Sequence, residues 1–84
     1  MLHEYRKKTT IKAEQFDGSD EMMIKYSIQA NPEGHYFGGF PLYELPTKEG
    51  NMEVHKGDWI ATGIDGEHWA IADDIFRRTY ERCD

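Results

Sequence analysis

The sequence has one cysteine, Cys83, and no run of apolar residues long enough to cross a bilayer. A single cysteine excludes an intramolecular disulfide framework, which fits a reducing cytoplasm. A membrane-spanning helix needs about 20 consecutive apolar residues. Residues 1–12 are basic but lack the hydrophobic stretch of a signal peptide. We therefore expect a cytoplasmic protein that does not engage a membrane.

The local motifs of common catalytic, metal and phosphate sites are also missing. Zinc sites usually show closely spaced ligand pairs, but no two histidines stand at i,i+2 or i,i+4 and no CxxC motif occurs. Neither serine lies in a GxSxG turn, and no glycine-rich phosphate-binding motif precedes a helix. Acidic neighbours of Cys83 disfavour its reactive thiolate. We predict a protein that is not an enzyme and holds no metal or cofactor.

Positive charge is scarce outside the first twelve residues. The net charge of the chain is -6, yet residues 1–12 contain four basic residues and one acidic residue. The remaining body is therefore strongly acidic and repels phosphates, which argues against general nucleic-acid binding. Such a body can instead attract a basic protein surface, including one that normally holds DNA or RNA. The plainer alternative is a solvated acidic surface without a partner.

Eighty-four residues suffice for a single domain, spanning 1–84, with one modest core. Extended-backbone residues predict a strand over 9–16. Ser19 predicts the N-cap of a helix over about 20–30, which Asn31-Pro32 ends. The predicted core side of this helix consists of Met23, Ile24, Ile28 and Ala30, with Tyr26 nearby.

From residue 35 onward, short apolar segments alternate with glycine and proline, which predicts strands. The predicted strands cover 36–37, 42–45, 52–55, 59–62 and 67–72. Asp65-Gly66 is a hairpin signal because these residues tolerate the positive φ angles of a tight turn. Asp73 and Asp74 predict a capped helical turn through Arg78, and residues 79–82 a further edge strand. The predicted fold class is α+β: an antiparallel or mixed sheet of short strands packed by one helix, plus a short C-terminal helical turn.

Aromatic and acidic side chains are the candidates for partner binding, since aromatic residues commonly anchor interfaces. One aromatic cluster surrounds Gly38-Gly39, two tryptophans lie in predicted strands, and two aspartates stand together. A core role is the alternative for each aromatic residue, and helix capping for the aspartates. The predicted partner-binding residues are Tyr36, Phe37, Phe40, Tyr43, Trp59, Trp69, Asp73 and Asp74.

A pattern in the second half of the chain is specific enough to suggest a family. Residues 57–60 read GDWI, followed by Gly63, GE at 66–67, DIF at 74–76 and TYE at 79–81, and residues 5–8 read YRKK. This arrangement resembles a family of small phage and prophage proteins with the pattern PGDWIIxGVxGExYPCKPDIFxxTYE. Lys56 replaces the family's proline, and residues 71–73 replace its Cys-Lys-Pro, so chemistry at that cysteine cannot operate here. The resemblance implies a small accessory protein of a mobile element, of a kind that often disables host or defence components.

Three functional hypotheses remain open. The first is a phage-encoded protein that inhibits a bacterial host or defence protein by occluding a basic site. The second is a protein that binds a small nucleotide-like ligand, for which Arg77, Arg78 and Arg82 would supply the positive charge. A virion-associated accessory is a third and weaker alternative. Short strands also leave sheet edges that a homodimer could cover.

Overall fold

The computed structural model of the protein describes residues 1–31 and 42–84. Within these residues the chain forms two helices and two three-stranded antiparallel sheets, which confirms the predicted α+β class. The predicted strand at 36–37 lies outside them. The elements are β1 (Lys12–Gln15), α1 (Asp20–Tyr26), β2 (Gln29–Asn31), β3 (Leu42–Thr47), β4 (Gly50–Val54), β5 (Trp59–Thr62), β6 (His68–Ile71) and α2 (Asp73–Thr79).

The six strands of the described residues form two separate three-stranded sheets. Sheet A has the order β1-β5-β6, and sheet B has the order β2-β3-β4. The hairpin between β5 and β6 forms as predicted, but it uses a three-residue loop in which Gly66, at φ +80°, adopts the left-handed backbone. The Gly63 amide closes this loop by donating to the Glu67 carbonyl at 2.9 Å. A three-residue hairpin loop with glycine in the left-handed position is a common solution, and it does not require positive φ at Asp65.

The core lies between α1 and the inner faces of the two sheets. Alternation along the strands turns Leu45 and Val54 of sheet B and Ile60 of sheet A inward, and all three are fully buried. The complete core cluster is Phe16, Met22, Tyr26, Ile28, Leu45, Val54 and Ile60.

Helix α1 begins where the sequence predicts and ends earlier. The Ser19 hydroxyl accepts a hydrogen bond from the Met22 amide at 3.3 Å, which confirms Ser19 as the N-cap. The predicted end near residue 30 is wrong, because Ser27 adopts left-handed backbone at φ 57°. The amides of Ser27 and Ile28 then donate to the Ile24 and Met23 carbonyls, the pattern of a Schellman cap. Residues 29–31 pair with β3 instead of continuing the helix.

This shorter helix presents a different face to the core from the predicted one. Met22 and Tyr26, one turn apart, are buried, whereas Ile24 is 81% exposed and Ala30 lies in β2 at the surface. The assignment of Ile24 and Ala30 to the core is therefore wrong. The apolar pattern was extended across residues that belong to a strand, where the 3.6-residue period no longer applies.

Helix α2 corrects two further predictions. Its N-cap residue is Ala72, which makes no side-chain cap hydrogen bond, so Asp73 and Asp74 do not cap it. They occupy the first turn, where negative charge opposes the positive end of the helix dipole. Thr79 belongs to α2, and residues 80–84 have no regular structure, so the predicted edge strand at 79–82 does not form.

Candidate functional site

An aromatic stack covers the outer face of sheet A. The rings of Trp59 and Phe76 lie parallel with centroids 4.2 Å apart and an interplanar angle of 12°. Phe76 continues the stack to Tyr80 at 5.2 Å. These contacts attach α2 to the sheet, since aromatic pairs in this geometry add attraction beyond their buried area. One face of the Trp59 ring is therefore occupied within the fold.

Asp73 fixes this arrangement through polar contacts. Its carboxylate accepts hydrogen bonds from the Trp59 indole nitrogen at 2.8 Å and from Arg77 Nε at 2.9 Å. Gln15 Nε2 adds a longer bond of 3.4 Å from β1. The hydrogen bond from Trp59, followed by the contact with Arg77, lowers the pKa of the Asp73 carboxyl below its ordinary value. The Asp73 carboxylate, at the start of α2, thus links this helix to Trp59 of sheet A.

The lowered pKa of Asp73 leads to a testable pH dependence. A carboxyl with a lowered pKa in the folded state stabilises the fold above its unfolded pKa, near 3.8, and this contribution is lost as the pH falls through the folded pKa. We expect wild type to be more stable than Asp73→Asn at neutral pH, with a smaller difference at a pH well below 3.8. Urea denaturation of both proteins at the two pH values measures this. A difference that is constant or grows on acidification would contradict the assignment.

The predicted ligand-binding arginines are each matched by a carboxylate. Arg77 contacts Asp73, Arg78 Nη2 lies 3.9 Å from Asp74, and Arg82 Nε lies 2.9 Å from Asp84. These are exposed pairs, which contribute little to stability, but they cancel local charge. The face of α2 therefore offers no surplus of positive charge to an anionic ligand.

Of the four aromatic residues predicted to form a cluster around Gly38-Gly39, the structure describes only Tyr43. Tyr36, Phe37 and Phe40 lie outside the described residues. Tyr43, on β3, packs edge-to-face against Phe16 with centroids 5.2 Å apart and an interplanar angle of 79°. Its ring therefore contributes to the core.

Trp69 lies at a cleft between the β3–β4 turn and the start of β6, which we term the acidic cleft. The cleft has a volume of about 440 Å³ and is lined by residues 47–52 and 67–69. Lys48 lies 3.9 Å from the carboxylates of both Asp65 and Glu67, so one cation faces two anions. Glu49, in the turn, is exposed, and its carboxylate has no partner among the described residues. The cleft thus combines excess negative charge with an aromatic ring.

A lysine of this chain makes a cation–π contact with the Trp69 ring. Lys7, in the extended N-terminal segment, places its ammonium 5.4 Å from the centroid of the Trp69 ring and 5.8 Å from that of Tyr80. A cation within about 6 Å of an aromatic centroid is attracted by the electron-rich ring face. The Trp69 ring is therefore already engaged by the ammonium group of Lys7.

Two more glutamates lie on the hairpin that forms one wall of the acidic cleft. Glu44 and Glu53 are directly opposite each other on β3 and β4, on the outer face of sheet B. Glu53 Oε2 lies 3.0 Å from His55 Nε2, whereas Glu44 has no side-chain partner among the described residues. Like charges directly opposite each other on neighbouring strands are unfavourable.

The sequence analysis named Trp69 as a candidate for partner binding but did not predict the cleft beside it. The cleft forms because the β3–β4 turn of sheet B lies beside the first residues of β6 in sheet A. A tertiary contact between two separate sheets leaves no signal in the local sequence. The acidic run Glu49-Gly50 and Asp65-Gly66-Glu67 was a usable hint, since both segments were recognisable as turns.

Comparison of the chain with known protein families, curated proteins and solved structures finds no relative. No protein-family model matches the chain, and no curated protein or solved structure shows significant similarity to it. No helix in residues 1–31 or 42–84 has the length and hydrophobicity needed to span a bilayer. Across those same residues, no three histidine, cysteine or acidic side chains are grouped as metal ligands.

Proposed function

We propose that this protein is a small phage-encoded accessory protein that binds a bacterial host or defence protein in the host cytoplasm and inhibits it by covering a basic site. The phage setting rests on the sequence pattern that starts at GDWI, residues 57–60. The mode of binding rests on the distribution of charge.

The acidic cleft is the observation that carries the proposal. Lys48 is opposed by Asp65 and Glu67, and Glu49, whose carboxylate has no partner within residues 1–31 and 42–84, adds a further negative charge beside them. A basic side chain of a partner can pair with Glu49 while its aliphatic part or cationic head contacts Trp69. A concave surface that carries one sign of charge also raises the rate of encounter with a partner of opposite sign.

The same charges favour a protein over a nucleic acid as the partner. Carboxylates at the cleft and on the outer face of sheet B repel phosphates, so a nucleic acid would pay an electrostatic penalty there. A protein that normally holds DNA or RNA has a basic site of the complementary sign. Covering that site would block its substrate, which gives inhibition without catalysis.

Affinity capture with charge variants tests the binding surface. Tagged wild type is used at low salt to capture proteins from bacterial lysate, in parallel with Glu49→Lys and with Glu81→Lys as a matched control away from the cleft. We expect a protein that is retained by wild type and Glu81→Lys but is bound roughly fivefold to tenfold more weakly by Glu49→Lys. Its Kd should rise with salt, because exposed charges are screened.

Inhibition is then measured on the captured protein itself. Adding wild type should reduce the target's nucleic-acid binding, and Glu49→Lys should need a correspondingly higher concentration for the same effect. Equal retention of the target by all three proteins would rule out the acidic cleft as the docking surface. Binding without any loss of target activity would rule out the inhibitory role.

A further inference from the structure

Strand β1 has one edge that is unpaired within the described residues. Its other edge is paired with β5, and just beyond this pairing the Phe16 amide donates to the Asp58 carbonyl and the Phe16 carbonyl accepts from the Gly57 amide, both at 2.8 Å. Because the bonding direction alternates along a strand, the amide and carbonyl groups of Ala13 and Gln15 within β1 point to the opposite edge. No backbone hydrogen bond reaches that edge from residues 1–31 or 42–84.

The unpaired edge borders an open groove. The groove has a volume of about 710 Å³ and runs between residues 10–15 and the C-terminal residues 80–84, with Trp59 and Phe76 also lining it. Residues 80–84 approach β1 without pairing to it. Exposed strand edges of this kind are templates for another extended chain.

The charges on β1 are complementary to those of a second copy of the same strand. If two β1 strands pair antiparallel about a two-fold axis at Ala13, each Lys12 lies opposite Glu14 of the second copy. In this register the outward backbone groups of residue 13 pair with residue 13, and those of residue 11 with residue 15. Opposite charges directly across two strands stabilise the pairing.

Neighbouring registers are disfavoured by the same charges. A shift by one pair toward the N-terminus places Lys12 opposite Lys12, and a shift the other way places Glu14 opposite Glu14. Lys12 is exposed and has no ion pair among the described residues. Glu14 accepts from Lys25 at 2.6 Å, and its side chain remains 40% exposed.

We propose that two copies of this chain associate through β1 in antiparallel register centred on Ala13, joining two A sheets into one six-stranded sheet. This interface is independent of the proposed function, because the acidic cleft lies at the β3–β4 turn and β6. A second copy is preferred to an unrelated extended segment because one two-fold axis satisfies the outward backbone groups and both charge pairs together. Covering the edge would also protect it from non-specific pairing.

Charge variants test the interface through the dimer dissociation constant. Sedimentation equilibrium is run on wild type, on Lys12→Glu and on Lys8→Glu, which makes the same charge change outside the strand. We expect wild type and Lys8→Glu to dimerise alike, and Lys12→Glu to dissociate at least tenfold more readily, because the two-fold axis places two like-charged contacts in the interface. A monomeric wild type, or equal dissociation of the two variants, would overturn the proposal.

A cross-linking experiment tests the register without altering any charge. Residues in a hydrogen-bonded antiparallel pair have Cα atoms about 5.5 Å apart, within the range that a disulfide can bridge. In a Cys83→Ser background, Ala13→Cys should therefore oxidise to a covalent dimer, whereas Thr9→Cys, far from the axis, should stay monomeric. Failure of Ala13→Cys to cross-link, or equal cross-linking of both, would overturn the register.

Discussion

Replacing Ile60 with alanine is expected to lower the free energy of unfolding by about 2–5 kcal/mol. Ile60 lies on the inner face of β5, is fully buried, and belongs to the core cluster between the two sheets. The loss combines the transfer free energy of the missing methyl groups with the cavity that they leave. Domains have only about 0.05–0.15 kcal/mol of stability per residue, so this is a large share for a chain of 84 residues.

Ile24→Ala is the matched control for this prediction. Ile24 is the same residue type but is 81% exposed on α1, so its truncation leaves no cavity. We expect a change within about 0.5 kcal/mol. Urea denaturation should shift the midpoint for Ile60→Ala at an unchanged slope, and leave it in place for Ile24→Ala. Similar losses for both substitutions would mean that the core does not lie between the sheets as described.

Replacing Gly57 with alanine is expected to cost about 1–2 kcal/mol or more, entirely through the backbone. Gly57 has φ +99°, a conformation that residues with a Cβ rarely adopt. The turn around it is closed by the Asp58 amide, which donates to the His55 carbonyl at 3.0 Å. The Gly57 amide also donates to Phe16 at the end of β1, so Gly57 and Asp58 together oppose one residue as a β-bulge.

The absence of a steric clash makes the Gly57 test specific. Apart from its chain neighbours, no heavy atom of residues 1–31 or 42–84 lies within 4 Å of a Cβ built on Gly57, so a loss of stability reports backbone strain and not crowding against these residues. Gly57→Asn should be less destabilising than Gly57→Ala, because asparagine tolerates positive φ better. Thermal unfolding of the three proteins provides the comparison. An alanine variant as stable as wild type would contradict the turn geometry.

Several elements were predictable because their signals are local. Ser19 caps α1, since a serine hydroxyl before a first turn can accept from a helix amide wherever the helix packs. The strand 59–62 was predicted with the bounds that β5 has, and Asp65-Gly66 marks the loop that follows it. Each of these features depends on φ preferences or side-chain reach over a few residues.

Other elements depended on contacts that the local pattern does not contain. The helix was predicted through residue 30, yet residues 29–31 gain more from pairing with β3 than from extending α1. Asp73 was read as a helix cap, but its carboxylate bonds to Trp59, which lies 14 residues earlier in the chain. The acidic cleft was missed because its two walls belong to different sheets.

Sequence alone therefore determined the α+β class, the turn glycines and the acidic character of this protein, since composition and short-range backbone preferences carry that information. The tertiary structure decided the rest. It selected which isoleucine is buried, which carboxylates are paired, and which edge of β1 stays unpaired within residues 1–31 and 42–84. These outcomes depend on residues distant in the chain meeting in space, where burial and partner geometry outweigh local propensity.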